Sequence, residues 1–223
     1  MSRGTEPRSR RLTAPPGVRR AMVSAILLAA GESKRMGRPK QLLPWEGGTL
    51  LRHCLESLVG SAADEIILVL GHEADRIRQS LPPFPIKIVI NPEYRQGMAS
   101  SLRQGVLATE PRSEAFMVFL ADQPGIGPAL IDTLIRAFQR AAPARGIIRP
   151  VHRGRAGHPV LIGSQYRQSV LNLRGDEGAR RILADNPGDI LDVAVDQDAI
   201  LRDIDTPEEY RDYGKRQPHE GAV

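Results

Sequence analysis

Short apolar runs that alternate with amphipathic segments constrain the fold of this 223-residue chain more than any other feature. The runs, rich in β-branched and aliphatic residues, are predicted strands at 23–29, 65–70, 86–90, 115–121, 146–150, 159–162 and 190–195. The segments between them have helical periodicity and are predicted helices at 49–59, 73–81, 98–108, 128–141, 176–185 and 206–216. Strands that alternate with helices build a mostly parallel sheet covered on both faces. The sequence therefore predicts a single α/β domain with a doubly wound sheet.

The charge distribution bears on the class of partner. We expect the domain to span residues 22–216, between a disordered Arg- and Pro-rich tail (1–21) and a short C-terminal tail (217–223). The first tail holds six Arg against one Glu, which equals the formal charge of +5 of the whole chain and leaves 25 basic and 25 acidic residues elsewhere. Because the basicity belongs to the tail, a nucleic-acid partner is not expected.

Apolar runs and cysteine content bear on the compartment. No run approaches the ~18 apolar residues that a membrane span needs, and residues 1–21 lack the apolar segment of a secretory signal. The one cysteine, Cys54, cannot form an intramolecular disulfide and lies on the apolar face of a predicted helix, where we expect it to pack in the core. We therefore expect a cytoplasmic protein without a membrane partner. The five histidines lack metal-binding spacing, so zinc is not expected.

Ligands of doubly wound sheets bind beyond the carboxyl ends of the strands. The residues that directly follow predicted strands are Ala30, Gly31, Gly71, His72, Asn91, Asp122, Gln123 and Pro124. These positions are where we expect the functional side chains and backbone groups to converge.

The loop after the first strand, AGESKRMGRPK (30–40), joins small residues to four cationic side chains. Small residues let backbone N–H groups approach an anion, the guanidinium of Arg35 suits phosphate oxygens, and Lys40 adds a mobile point charge. The spacing fits neither a Walker A loop nor the G-x-G-x-x-G motif of dinucleotide-binding proteins. Phosphate binding is favoured, and a solvated basic turn is the alternative.

Two acidic positions complement this loop. Asp122 ends the apolar run AFMVFLAD, and the segment DIDTPEEY places Asp203 and Asp205 on one face if it is extended. Carboxylates that converge on a triphosphate suit Mg²⁺, a hard cation held by one or two acids, phosphate oxygens and water. Taken singly, Asp122 could instead cap the next turn, and Asp205 with Thr206 could begin the last helix.

Six ordered blocks give the chain a resemblance to the MobA-like nucleotidyltransferases over about residues 22–216. The blocks are LAAGESKRMGRPKQLLP (28–44), NPEYRQGMASSLRQG (91–105), LADQP (120–124), GHPVLI (157–162), LRGDEGAR (173–180) and DIDTPEEY (203–210). The resemblance implies a Rossmann-like nucleotidyltransferase fold and a Mg²⁺-dependent transferase. It is strongest toward cytidylyl-transferring members, because guanylyl-transferring members commonly read LAGG followed by Asp-Lys, whereas this chain reads LAAG followed by Pro39-Lys40-Gln41.

The resemblance also implies roles for individual residues. The nucleotide-binding residues would be Leu28, Ala29, Ala30, Gly31, Arg35, Lys40, Gly71, Asn91, Gly97 and Ser101. Arg35 would hold the β and γ phosphates, Lys40 would neutralise charge at the α phosphate, and these two with Asp122 would form the catalytic set. Asp122 and Asp205 would bind Mg²⁺, with Asp203 as the alternative to Asp205.

The acceptor would be bound by residues of the fourth and fifth blocks. By the resemblance these are Gly157, His158, Pro159 and Asp176. Two of them have a purely structural alternative, because His158 could begin a strand and Asp176 could be the N-cap of the helix EGARRIL.

The activity implied by the resemblance is transfer of CMP from CTP to the terminal phosphate of a molybdopterin-type cofactor, with release of pyrophosphate. Because the attacking phosphate is already anionic, positioning and charge neutralisation suffice and no strong general base is needed. Two alternatives stay open. The same fold could use GTP, or a sugar or alcohol phosphate as acceptor. A non-catalytic chaperone could instead deliver molybdenum cofactor to a recipient such as a molybdenum hydroxylase.

Overall fold

The fold is described from a computed structural model that covers residues 20–141 and 146–216, so the predicted tails lie outside it except for residues 20 and 21. A mixed sheet forms its centre. The strands of this sheet are β1 (Val23–Ala29), β4 (Glu65–Leu70), β5 (Lys87–Ile90), β6 (Ala115–Leu120), β7 (Ile147–His152), β8 (Arg155–Ala156), β9 (Val160–Gly163) and β10 (Ile190–Ala194). A separate hairpin consists of β2 (Pro44–Trp45) and β3 (Gly48–Thr49).

The strand order is β10-β7-β9-β6-β1-β4-β5, with β8 paired to β7. Strands β6, β1, β4 and β5 run parallel, and so do β7 and β10. The exception is β9, which is antiparallel to both β6 and β7. The predicted mostly parallel, doubly wound sheet is confirmed, because β1 lies at its middle and the chain extends the sheet on both sides of it.

The helices agree with the predicted segments to within three residues. They are α1 (Leu50–Val59), α2 (Ala74–Gln79), α3 (Met98–Leu107), α4 (Pro128–Ala141), α5 (Arg167–Leu171), α6 (Ala179–Asp185) and α7 (Pro207–Arg216). The five-residue α5, the β2–β3 hairpin and β8 were not predicted, because such short elements carry too few residues to show a period.

The last helix begins as its sequence predicts. Thr206 Oγ1 accepts a hydrogen bond from Glu209 N at 3.2 Å, and Glu209 Oε2 accepts one from Thr206 N at 2.8 Å. This reciprocal capping box, followed by Pro207 in the first helical position, fixes where α7 starts. Asp205 is thereby held immediately before the helix, and its backbone N–H also donates to Glu209 Oε2.

Two apolar layers cover the sheet. Alternate residues of the fully buried β1 face opposite sides, so that Leu27 packs in the layer of α1, α2 and α4, and Ile26 packs in the layer of α3, α5 and α6. Cys54 lies in the first layer, which confirms its predicted packing role, and burial raises the pKa of its thiol. Within the described residues, no helix combines the length and the apolar content that crossing a bilayer would require.

A third apolar cluster connects the basic loop to the last helix. We call it the Trp45 cluster; it consists of Met36, Leu43, Trp45, Leu50, Ile204, Tyr210 and Tyr213. The Trp45 ring lies 5.2 Å from the Tyr213 ring, and Tyr210 donates a hydrogen bond to Pro44 O at 2.5 Å. Since Met36 follows Arg35 and Ile204 precedes Asp205, the cluster fixes the basic loop against the acidic segment.

Candidate functional site

A cleft of ≈ 280 Å³ opens at the carboxyl ends of β1 and β6. Its walls come from the loop after β1, the start of α3, the residues after β6 and the loop before α6. The lining residues are Leu28, Ala29, Ala30, Gly31, Lys40, Gln41, Tyr94, Gly97, Met98, Ser101, Leu120, Ala121, Asp122 and Asp176. All of these except Gln41, Tyr94, Met98, Leu120 and Ala121 were predicted from the sequence as site residues.

Four charged side chains contact one another beside this cleft, and we refer to them as the four-charge cluster. Lys40 and Asp122 line the cleft, whereas Arg35 and Asp205 are not among its lining residues. Lys40 Nζ lies 2.5 Å from Asp122 Oδ2 and 2.9 Å from Asp205 Oδ1. Arg35 Nη2 lies 2.6 Å from Asp205 Oδ2. The predicted catalytic and metal-binding residues are therefore in direct contact. Asp205, not Asp203, shares the Lys40 ammonium with Asp122.

The mutual contacts set the charge states of the cluster. Burial alone would lower the pKa of Lys40, but Asp122 and Asp205 outweigh it and raise that pKa above its usual value. Burial would likewise raise the pKa of Asp205, yet the hydrogen bonds and charges of Lys40 and Arg35 hold it below its usual value. Both groups are thus kept charged, which is the state needed to bind phosphate and metal.

Asp122 has one carboxylate oxygen that the described residues leave without a partner. Its Oδ1 atom is buried and has no hydrogen-bond partner within residues 20–141 and 146–216. A carboxylate oxygen of this kind, next to the carboxylate of Asp205, fits a hard divalent cation. No group of three or more His, Cys, Asp or Glu residues in the described chain could hold a metal. The protein would therefore supply these two carboxylates, and phosphate oxygens and water would complete the shell, as Mg²⁺ prefers.

Gln41 is hydrogen-bonded to the backbone at the start of the basic loop and was not predicted as a site residue. Its amide is buried, and Nε2 donates to Ala29 O at 2.8 Å and to Gly31 O at 3.2 Å. Ser33 adds a second closure, because its Oγ accepts a hydrogen bond from Lys40 N at 3.1 Å. These bonds hold the backbone of the loop in place beside the cleft. The only sequence signal was a polar residue directly before the apolar pair Leu42-Leu43.

Gly97 and the Gly175–Asp176 loop meet backbone to backbone. Gly97 has φ +102°, and a Cβ there would lie 2.3 Å from the carbonyl of Gly175. Asp176 Oδ1 accepts a hydrogen bond from Met98 N at 3.3 Å, and Ala99 N donates to Gly175 O at 3.0 Å. Asp176 therefore accepts from the first backbone N–H of α3, whose N-cap residue is Gly97. The alternative that Asp176 is the N-cap of α6 is wrong, because Gly178 holds that position.

We expect Gly97→Ala to weaken nucleotide binding and to destabilise the fold by about 1–3 kcal/mol, since backbone of this conformation is essentially restricted to glycine. The new methyl group would also push the Gly175 loop away from the cleft. The matched control is Gly154→Ala, where φ is +78° but no atom lies within 4 Å of the new Cβ. Urea unfolding and the KM for nucleotide separate the two effects. An unchanged KM in Gly97→Ala would contradict a role for this junction.

Two predicted nucleotide-binding residues lie behind the wall of the cleft instead of lining it. A Cβ on Gly71 would meet Tyr94 Cβ at 2.7 Å, so Gly71 makes room for Tyr94. Asn91 is fully buried, and its Nδ2 donates to Ser100 Oγ at 2.9 Å and Ser101 Oγ at 3.0 Å. In this structure Gly71 and Asn91 therefore contact the lining residues Tyr94 and Ser101 and do not line the cleft themselves. Their contact with nucleotide stays a prediction.

The GHP segment also lies outside the cleft. A Cβ on Gly157 would sit 2.1 Å from Ile200 O, which explains the glycine, and His158 N donates to the same carbonyl at 3.0 Å. Pro159 is buried directly before β9. The predicted acceptor-binding residues are therefore divided: Asp176 lines the cleft, whereas the GHP segment packs against Ile200.

The buried imidazole of His158 is expected to make the stability of the fold depend on pH. Burial lowers the pKa of its imidazole; the charge of Arg180 adds to this effect, while Asp122 and Asp203 oppose it. The unfolded chain therefore binds this proton more readily than the folded chain. The resulting stabilisation is complete above the unfolded pKa near 6.5 and is lost as the pH falls toward the folded value.

We expect the melting temperature of the wild type to fall more steeply between pH 7 and pH 5 than that of His158→Gln. The melting temperatures of the two proteins should change in parallel between pH 7 and pH 8, where both side chains are neutral. Thermal denaturation at unit pH intervals measures this. Parallel curves over the whole range would show that the His158 proton is not linked to folding.

Together, the mostly parallel sheet and a cation–carboxylate cluster at the strand ends suit a protein of the nucleotidyltransferase class. The MobA-like NTP transferase domain matches residues 25–190, and the chain belongs to this family. It is 32% identical over 194 residues to nicotine blue oxidoreductase of Paenarthrobacter nicotinovorans, covering 84% of this chain and 94% of that protein. It is 30% identical over 191 residues to molybdenum cofactor cytidylyltransferase of Escherichia coli, covering 84% and 93%.

Among solved structures, the Rv0371c complex with manganese from Mycobacterium tuberculosis is 26% identical and superimposes with a TM-score of 0.75, covering 88% of this chain and all of that one. These comparisons confirm the family resemblance and the fold class that the sequence predicts. The manganese in the solved relative agrees with divalent-metal dependence in this family.

Proposed function

We propose that the protein transfers CMP from CTP to the terminal phosphate of a molybdopterin-type cofactor and releases pyrophosphate, with Mg²⁺ as the metal. The observation that carries this proposal is the four-charge cluster beside the cleft. Two cations and two carboxylates are the groups that a metal–triphosphate complex requires. The family and the 30% identity to the Escherichia coli cytidylyltransferase support the reaction class and the choice of CTP.

The reaction needs positioning more than acid–base chemistry. An oxygen of the acceptor phosphate forms a bond to the α phosphorus while the bond from that phosphorus to the β-bridging oxygen breaks, and the electron pair leaves with pyrophosphate. Lys40 neutralises charge at the α phosphate, and Arg35 binds the β and γ phosphates. Asp122 and Asp205 would hold Mg²⁺, which would supply further charge neutralisation. The nucleophile is anionic, so no residue has to remove a proton.

The acceptor has room next to the four-charge cluster. A second, open cleft of ≈ 800 Å³ is lined by Gly125 and Arg202, each three residues along the chain from an acid of the cluster. Arg153 and Arg155 also line it and suit the anionic part of a ligand, although Asp196 and Asp198 lie in the same lining. We propose that the molybdopterin-type acceptor approaches the α phosphate from this side, opposite the leaving pyrophosphate.

Nicotine blue oxidoreductase is similarly related to this chain, so hydride transfer has to be considered. The loop after β1 lacks the G-x-G-x-x-G spacing that lets a helix N-terminus bind a dinucleotide pyrophosphate. Paired carboxylates that share a lysine have no evident task in hydride transfer, whereas they suit metal–triphosphate binding. Nucleotidyl transfer is therefore the function that the site supports best.

Nucleotide-dependent stabilisation tests the proposal before the acceptor is supplied. We expect CTP with Mg²⁺ to raise the melting temperature more than GTP or ATP, since a ligand at about 100 times its Kd stabilises the native state by about 2.7 kcal/mol. Equal or greater stabilisation by GTP would support the guanylyl-transferring alternative. No stabilisation by any nucleotide would contradict the proposal.

The chaperone alternative differs from the proposed function in whether Asp122 is needed. Transfer in the cytoplasm, followed by delivery to a molybdenum hydroxylase, requires Asp122, whereas delivery alone does not. We therefore expect Asp122→Asn to prevent maturation of such a recipient enzyme in cells. Full maturation with the variant would favour the non-catalytic chaperone.

A further inference from the structure

Lys40 lies where a divalent cation would be held. Its Nζ is within hydrogen-bonding distance of one oxygen of Asp122 and one oxygen of Asp205, the two proposed metal ligands. Arg35 occupies the other oxygen of Asp205. Three of the four carboxylate oxygens are therefore engaged by protein cations, and only Asp122 Oδ1 is without a partner in the described residues.

The charges of the cluster balance without any ligand. Lys40, Asp122 and Asp205 have side chains only 16%, 15% and 24% exposed, so an uncompensated charge there is costly. A divalent ion that entered alone would face the Lys40 ammonium across shared carboxylates. A triphosphate that entered alone would bring its negative charge against Asp122 and Asp205. Either ligand by itself is thus disfavoured by like charges.

An exchange of partners removes both obstacles at once. When metal and nucleotide enter together, the phosphates would pair with Lys40 and Arg35, and the metal would bind Asp122 and Asp205. The flexible stem of Lys40 permits this without movement of the loop, since its backbone N–H stays bonded to Ser33 Oγ at 3.1 Å. The long side chain of Arg35 is 68% exposed and free to turn toward the phosphates.

We propose that Lys40 acts as an internal stand-in for the metal, so that the divalent cation and the nucleotide bind together and free metal binds weakly. This inference rests on the proposed function, because it takes Asp122 and Asp205 as the metal ligands. It assigns Lys40 a second task besides phosphate binding: it stabilises the two carboxylates before substrate arrives, and it excludes metal that arrives without a nucleotide.

The proposal is tested by titrating the protein with Mn²⁺ alone. The electron paramagnetic resonance signal of unbound Mn²⁺ measures the affinity at each step. We expect weak binding to the wild type and at least about tenfold tighter binding to Lys40→Gln and Lys40→Met, a change of the usual size for coupled sites. The matched control is Lys34→Met, which removes an 83%-exposed lysine from the same loop and should leave Mn²⁺ affinity unchanged. Adding Asp122→Asn to Lys40→Gln should abolish the gain.

Thermal denaturation provides a second readout. Removal of Lys40 leaves two carboxylates facing each other, so we expect Mn²⁺ to raise the melting temperature of a Lys40 variant more than that of the wild type. Lys40→Gln keeps a hydrogen-bond donor between the acids and carries the test if Lys40→Met does not fold. Wild-type binding of Mn²⁺ alone as tight as in Lys40→Gln would overturn the proposal.

The metal-alone titration contains neither nucleotide nor acceptor, which separates the two proposals. If the wild type does not transfer CMP but the Lys40 variants bind Mn²⁺ more tightly than it does, the stand-in role is supported and only the proposed reaction is contradicted. CMP transfer by the wild type without any gain in the variants would overturn only the stand-in role.

Discussion

Asp122→Asn is expected to lower the rate of pyrophosphate release by about 10²–10³-fold, the loss typical of removing one charge-stabilising group from an active site. The substitution keeps the size of the side chain and an oxygen that can accept from Lys40, but it removes the negative charge that a metal requires. The backbone carbonyl of Asp122 accepts a hydrogen bond from Ile204 N at 2.9 Å, and this contact is unaffected. The fold should therefore remain intact.

Steady-state assays and far-UV circular dichroism measure the two parts of this expectation. Asp192→Asn is the matched control. Asp192 lies on the edge strand β10, pairs with Arg149 of β7 and does not line the cleft. Wild-type turnover in Asp122→Asn would remove Asp122 from the catalytic set. An unfolded spectrum would show that its role is structural.

Trp45→Ala is expected to lower the free energy of unfolding by about 3–5 kcal/mol, as truncation of a buried tryptophan typically does. Trp45 is 7% exposed and contacts Tyr213 and Tyr210 of α7 as well as His53 of α1. Its loss would empty the centre of the Trp45 cluster. Because that cluster joins the basic loop to the acidic segment, we expect the position of Arg35 relative to Asp205 to change and kcat to fall as well.

Urea unfolding and turnover at saturating nucleotide measure both effects. Trp45→Phe keeps most of the packing and serves as the conservative control, with a smaller loss of stability and near-normal kcat. A Trp45→Ala protein that is destabilised but fully active below its unfolding transition would show that the cluster does not position the site.

Much of the fold could be predicted from periodicity, because the strands and helices are long enough for their apolar patterns to repeat. The direction of β9 could not, since a period of two is the same in both orientations. The short link between β7 and β9 explains why β9 is antiparallel to β7. Residues 153–159 are too few for the crossover that a parallel neighbour needs, so the chain returns antiparallel.

The site was predictable where function depends on loops that follow strands. Lys40 and Asp122 follow this rule, and the cleft contains both. The positions of Gly71 and Asn91 were not predictable in this way, because a residue at the correct strand end can pack against a lining residue instead of lining the cleft. Gln41 was missed because it acts through two backbone carbonyls, and the only signal of such a contact in the sequence was a polar residue directly before an apolar pair.

The most direct test of the central claim is an assay with Mg²⁺, a molybdopterin-type acceptor and CTP, GTP or ATP in turn, with an additional arm that monitors NADH and NADPH oxidation. We predict pyrophosphate release with CTP above the other nucleotides, formation of a cytosine dinucleotide detectable by mass spectrometry, and no oxidation of either nicotinamide. Absence of pyrophosphate release with all three nucleotides would contradict the account.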